Sequence, residues 1–203
     1  MTQSSFHTFA PGVYAQSVNS RASAKLIAAL DAFEIDVENK VCADFGCNVG
    51  GFTHVLIERN AQRIYSIDTG YGQLDYALRK HDRVVAMERT NAMHASLPEP
   101  IELIVIDVAW TRQRNILPAA RRVLTPRGVV IALIKPHYEA QPAQLIKGVL
   151  DPNQIDQVLA SVRSDVAASG FAIAGEIKSP VIGTGGNVEF LFQLKFVDES
   201  SDS

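Results

Sequence analysis

Several short apolar runs in this chain end in ionisable residues. Asp44 lies within VCADF (41–45), Asp68 follows QRIYSI (62–67), Asp107 follows IELIVI (101–106), and Lys135 follows VVIALI (129–134). Glu189 stands near the start of a further run, VEFLFQLKF (188–196). A single residue of this kind reads as a helix cap, an ion pair or a snorkelling side chain. Together they describe a rim of acids with one amine, groups that can hold hydroxyls or a cation and manage the proton of a reacting hydroxyl. A lysine that accepts a proton must first be brought down from its free pKa of about 10.4, which desolvation at the end of an apolar strand promotes.

A second signal lies beside Asp44. The stretch ADFGCNVGGFT (43–53) places Gly46, Gly50 and Gly51 just before a helical pattern, where glycine permits a tight turn and close approach to a ligand. Its spacing, Asp-x-Gly-x-x-x-Gly-Gly, is not the G-x-G-x-x-G of a dinucleotide site. Asp68 ends the next strand candidate, the place where an acid commonly holds ribose hydroxyls. The residues therefore predict an adenosine-containing cofactor. With acids rather than bases around the glycines, S-adenosylmethionine, whose sulfonium is cationic, fits better than a pyrophosphate.

The elements that must carry these residues alternate along the chain. Strands are predicted at 41–45, 62–67, 83–87, 101–107 and 128–134, with helices between them at 51–59, 73–80 and 113–124. A helix from Ser20, its N-cap, buries Ala22, Leu26, Ala29, Leu30 and Phe33, with Lys25 on the flank of that stripe. A helix near 152–168 precedes strands near 171–177 and 188–196, whose ten-residue connection, KSPVIGTGGN, is too short for a crossover and predicts antiparallel pairing. The fold class is α/β: a doubly wound, Rossmann-like sheet of seven strands with an antiparallel last strand. Ligands in such folds bind beyond the carboxyl ends of the parallel strands, which is where the acids and Lys135 gather. Residues 1–19 read as an irregular lead, 20–197 as the folded domain and 198–203 as a disordered acidic tail.

Composition sets outer limits. The chain has 203 residues, 47% hydrophobic and 20% charged, an ordinary globular mixture. No apolar run has the length of a membrane span, and the N-terminus lacks the pattern of a secretory signal, so a cytoplasmic location is expected. Cys42 and Cys47 lie too close to suggest a framework disulfide, and two packed thiols are expected. A net charge of −3 does not by itself indicate nucleic acid, although three acids belong to the tail. Arg112, Arg114, Arg121 and Arg122 form one basic cluster and Arg79, Lys80 and Arg83 another; such clusters read as a local basic face or, more commonly, as solvated helix surface. The five histidines show no metal-ligand spacing, and no metal is expected. His137, Tyr138 and Trp110 are compatible with base stacking or with plain loop packing.

The blocks SRASAKLIAALDAF, ADFGCNVGGFTHVLIERNAQRIYSIDTGYGQLDYALR, VVAMERTNA, IVIDVAW, ALIKPHYEA and SPVIGTGGNVEFL resemble the methyltransferase domain of TlyA-type ribosomal RNA 2′-O-methyltransferases, within the wider FtsJ-like (RrmJ-fold) family. The resemblance covers about residues 19 to 196. It implies a class I methyltransferase that uses S-adenosylmethionine, with RNA, above all ribosomal RNA or an assembled subunit, as partner. The family's Lys-Asp-Lys-Glu tetrad maps onto Lys25, Asp107, Lys135 and Glu189. Its cofactor segment maps onto Asp44, Gly46, Gly50, Gly51 and Phe52, with Asp68 on the ribose, Asn91 beside the adenine and Asp107 shared. On this mapping Lys135 activates the hydroxyl and Lys25 adds a second cation nearby.

Three departures stand out. The family carries an N-terminal S4-type RNA-binding domain, for which a 19-residue lead is too short. VAWTRQRN replaces the usual Ser-Phe region after Asp107, and PHYE replaces Pro-Gln-Phe-Glu after Lys135. Both replacements lie where an acceptor nucleotide would enter. The alternatives are a different RNA or a small hydroxylated acceptor, and a module that binds cofactor or RNA without turnover. A membrane-damaging haemolysin, the label some relatives carry, finds no spanning segment or basic amphipathic helix here.

Overall fold

The computed structural model describes residues 20–197. The lead over 1–19 and the acidic tail over 198–203 lie outside the described residues. Ser20 caps the first helix, α1 (Arg21–Ala32), its hydroxyl accepting from the Ser23 amide at 3.0 Å. Then follow β1 (Val41–Phe45), α2 (Gly51–Glu58), β2 (Arg63–Ile67), the single turn α3 (Tyr76–Arg79), β3 (Val84–Met87) and β4 (Ile101–Ile106). The chain continues through α4 (Gln113–Val123), β5 (Leu124–Ile134), a short α5 (Pro136–Glu139), a hairpin of β6 (Leu145–Ile146) and β7 (Val149–Leu150), α6 (Ile155–Ala168), β8 (Phe171–Lys178) and β9 (Phe190–Phe196).

Seven strands form one sheet in the order β3-β2-β1-β4-β5-β9-β8. The pairs from β3 through to β5 are parallel, and β9 runs antiparallel to both β5 and β8. The chain winds outward from β1 to β3, then returns to the other side of β1 with β4. That reversal opens a crevice between β1 and β4 at their carboxyl ends.

Because side chains alternate across a strand, each strand feeds two cores. On one face Phe45, Tyr65, Ile104 and Phe192 pack with Leu117 of α4 and Val162 of α6. On the other, Cys42, Leu103, Ile131 and Leu191 pack with Leu26 and Leu30 of α1 and Leu56 of α2. Val130–Ile134 are buried without interruption, as a strand covered on both faces must be. Cys42 and Cys47 are both buried free thiols.

Local differences from the expected elements have local causes. The helix expected over 73–80 shrinks to one turn, because Asp75 caps it from inside that range, accepting from the Ala77 amide. Strand β5 begins four residues earlier than expected, with an irregularity where Leu124 and then Val129 pair with Ile101 and Leu103. The β6–β7 hairpin was not expected at all. Two-residue strands carry no periodicity to read; the turn at Lys147 (φ 51) and Gly148 (φ 80) is their one local mark.

Candidate active site

The crevice holds a cavity of about 610 Å³ whose wall comes from the ends of all five parallel strands. Gly46 and Asn48 follow β1, Asp68 and Gln73 follow β2, and Asn91 follows β3; Asp107 and Trp110 follow β4, and Lys135 follows β5. Five of the expected site residues, Gly46, Asp68, Asn91, Asp107 and Lys135, therefore line one space.

Gly46 explains how the segments after β1, β2 and β4 come so close. Its φ is +88, and a Cβ there would lie 2.5 Å from the Asp107 carbonyl oxygen. Its amide donates to Ile67 O, and the Asp107 amide donates to Phe45 O. Only glycine accommodates both the left-handed backbone and that close approach. Asp68 ties the neighbouring loops, accepting from the Asn48 amide at 2.9 Å and the Gly70 amide at 2.7 Å. The Asn91 Oδ1 accepts from Met93 N, and its Nδ2 has no hydrogen-bond partner among the described residues. An acid at a β2 end, an amide group at a β3 end and a glycine-lined floor suit ribose, adenine and a close-packed thioether or sulfonium respectively, so this donor set fits S-adenosylmethionine.

At the β5 side Lys135 Nζ lies 2.6 Å from Asp107 Oδ1 and 3.3 Å from Val108 O, over the Tyr138 ring at 5.5 Å from its centre. A second pair, Lys25 Nζ and Glu189 Oε2, is 2.5 Å apart and almost wholly buried. Gly183 presses on Glu189: a Cβ at that position would meet Oε1 at 2.4 Å. Asn187 fixes the same loop to the hairpin, accepting from Leu150 N and donating to Gly148 O and Thr184 O. His137 joins the two pairs in space. Burial depresses its pKa below the ordinary value, and it feels Glu189, Lys135 and Lys25 together.

Other expected residues sit beneath the cavity rather than on it. Asp44 is fully buried, accepting from Thr53 Oγ1 at 2.7 Å, and its Oδ1 has no hydrogen-bond partner among the described residues. Burial pushes its carboxyl up to about 7, against the lowering effect of the Thr53 bond. Gly50 (φ +102) leaves room for Leu78 and Leu74, Gly51 for Ala22 of α1, and Phe52 is a core side chain at 3% exposure. Asp44 and these three set the entry of α2 and its seat against α1; none lines the cavity.

Two cavity-lining residues, Asn48 and Gln73, are not apparent from the sequence. Asn48 adopts φ 47, a conformation asparagine tolerates, inside a loop already marked by glycines. Gln73 follows two glycines after Asp68, a turn signal that the helical pattern over 73–80 obscures. Among the described residues no group of three or more His, Cys, Asp or Glu could hold a metal ion.

With this geometry in hand, comparison with known proteins is decisive. The model of the FtsJ-like methyltransferase family matches residues 18–196. The chain belongs to the FtsJ-like methyltransferase family. The 16S/23S rRNA (cytidine-2′-O)-methyltransferase TlyA of Mycobacterium tuberculosis (strain H37Rv) is 36% identical over 182 residues, 87% of this chain and 68% of that protein. Hemolysin A of Brachyspira hyodysenteriae is 35% identical, over 85% of this chain and 74% of its own length. A solved structure provisionally described as a hemolysin, from Streptococcus thermophilus, superposes with a TM-score of 0.85 at 36% identity, covering 89% of this chain and 67% of that one. The FtsJ-like fold of this chain is thus a class I, S-adenosylmethionine-dependent methyltransferase fold, with which the seven-stranded sheet and its antiparallel β9 agree. No helix among the described residues is long and apolar enough to cross a membrane.

Proposed function

We propose that this FtsJ-like enzyme methylates a ribose 2′-hydroxyl of ribosomal RNA, in the cytoplasm where ribosomes are found. The observation that carries the reading is Lys135, held on Asp107 at 2.6 Å at the wall of the cofactor cavity. S-adenosylmethionine supplies an electrophilic methyl group on a sulfonium. The chain's task is then to orient a hydroxyl and take its proton. Asp107 and the Val108 carbonyl occupy two of the three tetrahedral positions around Lys135 Nζ. The third is left for the acceptor oxygen: as a lone pair it receives the proton, as an N–H it steadies the developing alkoxide. Asp107 keeps the amine from turning away. The buried Lys25–Glu189 pair backs this arrangement without itself lining the cavity. Asp68 and Asn91 hold the cofactor's ribose and adenine, and Asp44 with Gly46, Gly50, Gly51 and Phe52 shapes the loop beneath it. The names of the rRNA-modifying relatives support ribosomal RNA as the acceptor.

The test is transfer of labelled methyl from S-adenosylmethionine to ribosomal subunits and to naked ribosomal RNA. The wild type should label RNA at ribose, and Lys135→Ala should lose at least about 100-fold in rate while still binding cofactor. Equal rates in the two proteins would remove Lys135 from the chemistry. Absence of label on any RNA, with cofactor bound, would rule out the acceptor.

A further inference from the structure

Between Asp107 and Glu139 the chain has no acidic residue, yet it has Arg112, Arg114, Arg121, Arg122, Arg127 and Lys135, in a protein of net charge −3. The structure places most of this charge on one surface. Arg114, Pro118, Arg121 and Arg122 recur at i, i+4, i+7 and i+8 of α4, so they share a face, and all four are exposed. Ile116, Leu117 and Ala120 turn the other way into the core. Arg127 is exposed in the segment just beyond the helix.

The pairing of these arginines differs from that of others in the protein. Arg59, Arg63, Arg79 and Arg163 each reach a carboxylate. None of the five arginines from 112 to 127 does so among the described residues. Arg112 donates to Ala140 O, Arg121 to Gly170 O and Arg122 to Met93 O. Carbonyls fix where a guanidinium lies without cancelling its charge. Glu139 is the carboxylate hydrogen-bonded at the start of the helix. It is spent on the Gln113 amide, and burial pushes it up to about 7.

The arginine face is continuous with the site. Thr111 and Ile116, at the start of α4, line the cavity, and so does Met93, whose carbonyl receives Arg122. Trp110 stands 83% exposed at the mouth, at φ 60, with its ring 4.7 Å from that of Tyr138. From Arg114 to Arg122 the helix rises about 12 Å away from this mouth. Unpaired, pre-oriented guanidinium forks leading away from a reaction centre match an extended polyanion whose one reactive unit sits in that centre.

We propose that the outer face of α4, with Arg114, Arg121, Arg122 and Arg127, binds the phosphodiester backbone of the RNA that flanks the acceptor nucleotide. The inference rests on RNA being the acceptor. It adds the surface that docks it, and it assigns a ligand to arginines that the sequence alone left between a local basic face and a solvated helix.

The experiment uses the full chain and Arg114→Glu combined with Arg127→Glu, since neither side chain makes a hydrogen bond or ion pair among the described residues. Affinity for naked ribosomal RNA is measured from low to moderate salt, beside cofactor affinity and the methyl-transfer rate at saturating RNA. A charge-matched control, Lys40→Glu with Lys80→Glu, lies away from this face: Lys40 just precedes β1, and Lys80 follows α3, whose Leu78 packs in the core on the side of the sheet opposite α4. The variant should bind RNA at least tenfold more weakly than the control. The slope of log affinity against log salt should flatten by about 0.7 for each phosphate that is no longer neutralised. Cofactor affinity and the saturated rate should not change. The same affinity and slope in variant and control would overturn the proposal and leave an acidic protein surface as the partner of this face. A wild type that binds no RNA would instead overturn the acceptor assignment beneath it.

Discussion

Two lysine–carboxylate pairs at one rim look alike in sequence and differ in the structure. Lys135–Asp107 opens on the cavity, whereas Lys25–Glu189 is closed from solvent and from the cavity wall. Removing either partner of a buried pair strands the other charge, so the second pair ties α1 to the residue that leads into β9. Asp44 is a third kind of acid. Its unfolded carboxyl titrates near about 3.9, and the folded one near 7. Between those values the folded state keeps a proton that the unfolded chain has lost, so raising the pH weakens the fold. The contribution is whole below about 4 and is lost as the pH passes 7. Asp44→Asn, neutral throughout and still able to accept from Thr53, should remove up to roughly 4 kcal/mol of that pH dependence. Denaturant unfolding of cofactor-free protein at pH 5 and pH 8 measures it as the difference between wild type and variant, which cancels Glu139, whose shift has the same sign. Identical pH profiles would refute the assignment. That Asp44 belonged near the first loop was legible from its strand and glycines. Its burial was not, because nothing in the local sequence says which of two alternating faces Thr53 will cap.

At the scale of elements, the loop after β1 and the start of the segment after β4 are fitted against each other with no side chain between them. Gly46→Ala would impose a left-handed alanine and drive its Cβ into the Asp107 carbonyl. The expected cost is about 1–3 kcal/mol of stability, together with at least a tenfold loss of cofactor affinity as the two loops part. Gly72→Ala is the contrast: its φ is +70 but nothing lies within 4 Å of the new methyl, so it should lose stability without a comparable loss of binding. Thermal unfolding and calorimetric titration of both variants would show whether steric overlap or backbone angle dominates. The seven main strands were readable because each is an apolar run bounded by turn residues, and the antiparallel course of the last because its connection is too short for a crossover; the order of the strands in the sheet came from the structure. The β6–β7 hairpin and the one-turn α5 escaped because elements this short owe their form to tertiary partners, Asn187 above all.

Over the whole molecule the cavity stands at the one place where the winding reverses, so loops from both halves of the sheet must be in position for it to exist. Cofactor should therefore stabilise the entire fold. At 100 times its dissociation constant the gain is about 2.7 kcal/mol, visible as a rise of several degrees in melting temperature. Asp68→Ala, which removes the acceptor of the Asn48 and Gly70 amides, should leave the melting curve flat in a cofactor titration. An undiminished rise would place the ligand elsewhere. The antiparallel course of β9 has another result. That strand starts at the crevice and finishes at the far edge of the sheet, whereas the chain reaching Ser20 enters α1 little more than one turn before Lys25. A cargo spliced on after residue 197 would trail behind the enzyme, and one spliced on before residue 20 would stand in its doorway.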